Sequence, residues 1–291
     1  MVITKTKMQF KKVDLGYVIR TAVCVLAFLA AAAYFFYVCK GVADNYLLFT
    51  SFTVHAAILW FVNFAVSAAL FIVMLGVTAA LVRPKWVAMI VYAVSAVLYV
   101  FFVGSSLAVW ITAAVSAALL VSYFLAVVHL LGNQIKVSAH PLGEKKMLVC
   151  MLLAALISVA IAVGYANDSV RRNYVLPPEA KTAYSQYMMK LAKTQVDAQK
   201  ATARQKETAL KTAEKNISDL ANKAEETIKP VQKYVPVILG FFAFFLFQMV
   251  FIFIGIIAMP FVPLLFWILK ITHFTHIVTE KCEVTRLTLK S

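Results

Sequence analysis

Residues 178–229 read PEAKTAYSQYMMKLAKTQVDAQKATARQKETALKTAEKNISDLANKAEETIK, a polar run set between blocks of almost unbroken apolar sequence. Between Pro178 and Pro230 lie 51 residues without Gly or Pro. Ala, Lys, Glu, Gln and Leu dominate them, and these residues lose little freedom in a helix. Pro177 and Pro178 mark the start, with Glu179 placed near the positive end of the helix dipole. Pro230 and Pro236 mark the end. Glu207 with Lys211, Asp219 with Lys223 and Glu225 with Lys229 are acid-before-base pairs at i,i+4, each worth about 0.3 kcal/mol on a solvated face.

This helical segment carries a thin apolar seam, Leu210, Ala213, Ile217, Leu220 and Ala224, at the 3-4 spacing of a heptad. An earlier face, Tyr184, Met188, Leu191, Gln195 and Ala198, is out of phase with it. The change of phase between about 201 and 210 predicts a bend, a hairpin tip or a change of partner there. A single 51-residue helix would run for about 77 Å, yet both ends of the segment must meet a membrane at the same face. It must therefore lie flat, tilt strongly or fold back as a hairpin, and the phase change favours a bent or hairpin arm.

The flanking blocks require a bilayer. Of 291 residues 63% are hydrophobic, 14% are charged and the mean hydropathy is +0.84, whereas a soluble domain carries about 25% charge. Apolar runs at 21–39, 54–82, 86–103, 107–131, 147–165 and 235–259 are each long enough to cross a hydrocarbon core of about 30 Å. The expected fold is therefore all-α: a polytopic integral membrane protein with six transmembrane helices and a long helical insert between the fifth and sixth. Residues 1–165 form a five-span bundle with a basic leading segment, 166–234 the arm, 235–271 the sixth span with a Pro-broken piece, and 272–291 a polar tail. After Pro260 the apolar run 261–271 is too short to cross and is expected at the membrane surface or as a re-entrant segment. Ala31 and Ala33 offer a signal-peptidase pattern, but the apolar run continues through Tyr34, Phe35, Phe36 and Tyr37. An uncleaved anchor ending in an interfacial aromatic belt is the expectation.

Charge sets the orientation. With the amino terminus inside, the short inner segments hold Lys5, Lys7, Lys11, Lys12 and Arg20, then Arg83 and Lys85, then Lys136, Lys145 and Lys146, then Lys270, Lys281, Arg286 and Lys290, whereas the short outer loops hold Lys40 alone. This is the positive-inside pattern, so both termini are expected in the cytosol and the arm outside, with a bacterial cytoplasmic membrane as the expected location. The net charge of +15 is explained by these flanks, and no nucleic-acid partner is expected.

The chemistry readable from the chain is sparse. No Asp, Glu, Lys or Arg stands in the middle of a span, which argues against ion-coupled transport. Asn63, Thr112 and Gln248 are the notable intramembrane polar side chains, expected to make interhelical hydrogen bonds. His273 and His276, with Cys282 downstream, are the one weak metal-ligand pattern; a structural zinc site needs two convincing pairs, so a polar helix end is the preferred reading and no cofactor is expected. No nucleotide-binding or hydrolase motif occurs, and no enzymatic activity is expected. The functional expectation is a structural or interaction subunit of an envelope assembly. Its partners are lipid, further copies or other envelope proteins, met through the arm at 178–229. The alternative is an oligomeric channel or pore-forming effector without ion-coupled transport.

Overall fold

A computed structural model describes residues 15–46, 54–82, 84–132, 146–198, 202–272 and 274. Nine α-helices are described: α1 (Leu15–Asp44), α2 (Val54–Leu81), α3 (Lys85–Val103), α4 (Leu107–Gly132), α5 (Lys146–Arg172), α6 (Pro178–Ala198), α7 (Ala203–Ile228), α8 (Val235–Ala258) and α9 (Phe261–Ile271). A short 3₁₀ turn, Lys229–Tyr234, joins α7 to α8. Helices α1 to α5 and α8 are long and apolar enough to cross a membrane, so the chain is an all-α, six-span membrane protein.

Large apolar side chains fill the interior. α1 packs against α2, α3 and α5, while α5 also packs against α4 and α8, and α2 against α8. At the middle, Phe35 of α1 meets Phe71 of α2 at 5.6 Å between ring centroids and Phe251 of α8 at 6.2 Å. Phe64 meets Phe247 and Phe251 at 5.4 and 5.1 Å. Edge-to-face and tilted contacts of this kind align ring edges with ring faces and add to the burial itself. Several hydroxyls inside the bundle are satisfied locally or across helices. Ser67, Ser95 and Ser158 donate to carbonyls three or four residues back, and Tyr99 of α3 donates to the Leu156 carbonyl of α5 at 2.7 Å.

Two helices run past the expected limits. α1 extends beyond 21–39 at both ends, which places Phe35 and Phe36 two turns inside the helix, with 0% and 2% exposure. They are core residues, not members of an interfacial belt; only Tyr37 points outward from that set. α5 continues from Tyr165 to Arg172 although its last turns are polar. Hydropathy registers the depth of the hydrocarbon, whereas the helix itself persists while i,i+4 partners remain, here Asp168 with Arg172 at 3.0 Å. α9 leans on α2 and α8, burying Val262, and Arg20 near the start of α1 lies over the Phe274 ring just beyond it.

The polar insert is a helical hairpin. α6 and α7 pack side by side, and Lys181 pairs with Glu225 across 44 residues of sequence. Thr202 caps the start of α7: its hydroxyl accepts the Gln205 N–H and the Gln205 side chain accepts the Thr202 N–H. This reciprocal capping box satisfies two helix-end donors. At about 1.5 Å per residue, each arm is roughly 30–40 Å long.

Candidate functional site

The richest polar cluster lies where the hairpin joins the spans. α5 ends on Asn173, whose φ of 50° is left-handed, and the Tyr174 N–H returns to the Ser169 carbonyl at 3.2 Å. This Schellman closure suits Asn, one of the few side chains that tolerate that backbone region. The turn directs Tyr174 back onto the end of α1. There its phenol meets that of Tyr46, and both lie within hydrogen-bond reach of Asp168 Oδ2, Tyr174 at 2.7 Å and Tyr46 at 3.0 Å. Asp168 Oδ1 takes Arg172 Nε at 3.0 Å, and Arg172 Nη1 reaches Glu179 in the first turn of α6 at 2.5 Å. Tyr165 donates to the Val175 carbonyl at 2.5 Å, and its ring stands edge-on to both Tyr46 and Tyr174.

The hairpin's second arm is tied to the same turn. Gln232 donates to the Tyr174 carbonyl at 3.1 Å. Lys181 holds the Glu225 carboxyl below the usual carboxylate range, helped by the backbone N–H groups of Val175 and Leu176. Glu179 is also lowered, first by its own backbone N–H at the helix start and then by Arg172. Burial, followed by the hydrogen bonds to Tyr174 and Asp168, raises the Tyr46 phenol. Burial pushes Tyr174 up to about 12. Both phenols therefore remain protonated donors throughout the neutral range.

A cleft of about 360 Å³ opens beside this cluster, lined by Ala43, Asp44, Tyr46, Val103, Gly164, Asn167, Asp168, Arg171 and Arg172 among others. Both oxygens of Asp168 are engaged there, Oδ2 by the two phenols and Oδ1 by Arg172. The cluster ties the turn after α5 to the end of α1. No family model, curated protein or solved structure matches this chain.

The seam residues are distributed unevenly. Ile217 is buried between the arms, with Leu210 and Ala213 half-buried, whereas Leu220 is 55% exposed and Ala224 is exposed. Beyond Ile217 the inward face passes instead through Ala221 to Ile228. On α6 the inward line runs through Ser185, Met188, Ala192 and Val196; Tyr184, Tyr187 and Leu191 form an outward stripe at i, i+3 and i+7, with 42–63% exposure. Asn63 accepts a hydrogen bond from Tyr34 on α1. Thr112 bonds to the Ala108 carbonyl of its own helix. Gln248 is half-buried in α8. His273, His276 and Cys282 lie outside the described residues. Among the described residues no group of three His, Cys, Asp or Glu side chains is placed to hold a metal ion.

Nothing in the sequence pointed to the Tyr46–Asp168–Tyr174 cluster, since its partners lie up to 128 residues apart. The capping box was legible as T-x-x-Q at 202–205, just before the apolar positions of α7.

Proposed function

We propose that this protein is a membrane-embedded structural or interaction subunit of an envelope assembly, and that its work is to hold a helical hairpin at a fixed angle outside the membrane. The observation that carries this reading is the combination of strut and surface. The hairpin is locked to α1 and α5 through Asp168, while α6 presents Tyr184, Tyr187 and Leu191 outward. Aromatic side chains on a rigid support make large contacts at low entropic cost, and Tyr is enriched among binding hot spots. Fourteen Lys and Arg residues on one set of short flanks against one on the other support an external hairpin with both termini in the cytosol.

The role is non-catalytic, and a channel within one chain is disfavoured because Phe35, Phe64, Phe71 and Phe251 fill the centre of the bundle. The test has two parts. A Cys placed at the exposed Thr208 should react with an impermeant thiol reagent in intact cells, while Cys282 stays protected until the membrane is opened. A photo-crosslinking side chain at Tyr187 should trap a defined protein, identified by mass spectrometry, that the same group at the exposed Lys215 does not. Labelling of Cys282 before Thr208→Cys would reverse the orientation, and equal, scattered crosslinking from both positions would remove the interaction role.

A further inference from the structure

α8 is the least covered span. Of its most apolar stretch only 22% of the residues are buried within the chain, against 39–61% for the other five. One side packs on α5 and α2 through Ala243, Phe247, Phe251 and Ile254. The opposite side presents Phe241, Phe245 and Met249, each at least half exposed. Gln248 stands on the margin of this bare face, near the middle of the helix Val235–Ala258.

Its position creates a physical problem. Counting about 1.5 Å per residue, Gln248 lies roughly 15–20 Å from either end of α8. Its side chain spans only a few ångströms, so its carboxamide cannot reach an aqueous interface. The comparison with Asn63 is direct: that amide has the Tyr34 hydroxyl, whereas Gln248 has no hydrogen-bond partner among the described residues. Its neighbours one turn away, Phe244, Phe245, Phe251 and Ile252, offer only apolar side chains. An amide left without a partner in hydrocarbon is unfavourable, and lipid tails cannot supply one.

We propose that Gln248 is the contact point of a dimer in which α8 packs against α8 of a second copy. A carboxamide carries both a donor and an acceptor, so two of them satisfy each other without any further chemistry. Symmetry makes the pairing natural. Two copies inserted in the same orientation are related by an axis along the membrane normal, which brings each Gln248 to the same depth as its counterpart. The flanking Phe241, Phe245 and Met249 then pack around the amide pair, exchanging contacts with lipid for contacts with protein. This interface lies inside the bilayer and does not depend on what the hairpin binds.

The experiment uses the full chain in phosphatidylcholine–phosphatidylglycerol liposomes, with self-association followed by energy transfer between labelled copies at decreasing protein-to-lipid ratio. Gln248→Leu should weaken association between about threefold and thirtyfold, the range expected for intramembrane hydrogen bonds. Gln248→Asn, which keeps the amide, should retain most of it. Tyr187→Ser on the hairpin should leave it unchanged, which separates this interface from the proposed external one. Equal association of the parent and Gln248→Leu would overturn the proposal. So would a monomeric parent, or a native mass showing a different protein lost on Gln248→Leu.

Discussion

Gly164 of α5 lies against the carbonyl of Ala43 on α1, so close that an added Cβ would overlap the Ala43 backbone. The two helices cross at this point, one turn below the Tyr46–Asp168–Tyr174 cluster, and the absence of a side chain is what allows the approach. Because the obstacle is backbone, no rotamer change relieves it. Gly164→Ala should destabilise the bundle by about 1–3 kcal/mol, seen as a lowered Tm in mild detergent. Gly41→Ala, at a helical glycine with open space around it, should match or exceed the parent Tm.

Asp168 joins three groups, and its removal should free the hairpin without unfolding the spans. Asp168→Asn should raise amide hydrogen exchange around 174–181, and Tyr174→Phe should do so to a smaller extent. Hydrogen bonds to a charged group are worth about 1.5–3 kcal/mol. Combining Asp168→Asn with Tyr46→Phe should cost less than the sum of the two, since both remove the same contact. Unchanged exchange in Asp168→Asn would mean that the cluster does not bear on the hairpin.

Glu225 gives the hairpin an acid-sensitive closure. Its folded pKa is lowered by Lys181, so the pair contributes stability fully above the unfolded carboxyl value of about 4.3. That contribution is lost as pH falls from about 4.3 through the lower folded value. Exchange across α6 and α7 should therefore rise in this window, and Glu225→Gln should flatten most of the dependence. A residual slope is expected from Glu179, which is lowered in the same direction.

Ile217 and Leu220 separate the inside of the hairpin from its outside. Ile217→Asp puts a carboxylate between the arms at a position 6% exposed, where an unpaired charge costs about 3–5 kcal/mol. It should abolish α6–α7 protection while the spans remain inserted. Leu220→Asp, at a position 55% exposed, should leave the hairpin's helicity and exchange intact.

The membrane character, the six spans and the helical nature of 178–229 follow from the sequence itself. Each depends on properties that are local in the chain. Apolar length decides whether a segment can cross, Pro at 177, 178 and 230 limits the helix, and the absence of Gly and Pro between them keeps it continuous in type. Even the α7 start was written locally, in Thr202 and Gln205. Tertiary structure decided what depends on encounters between distant segments. The aromatic run 34–37 has one hydropathy but two fates, because α1 turns Phe35 and Phe36 toward α2, α3 and α8 while Tyr37 faces away. A heptad seam specifies an apolar stripe but not the angle of the helix beside it, so burial on α7 passes from Ile217 to Ala221 and leaves Leu220 outside. Asp168, read alone, is one acid at the polar end of a span; only the fold of α1 and the left-handed turn at Asn173 bring Tyr46 and Tyr174 onto its carboxylate. Periodicity records which side of a helix avoids water, while the identity of the neighbour on that side is settled by the packing of the whole chain.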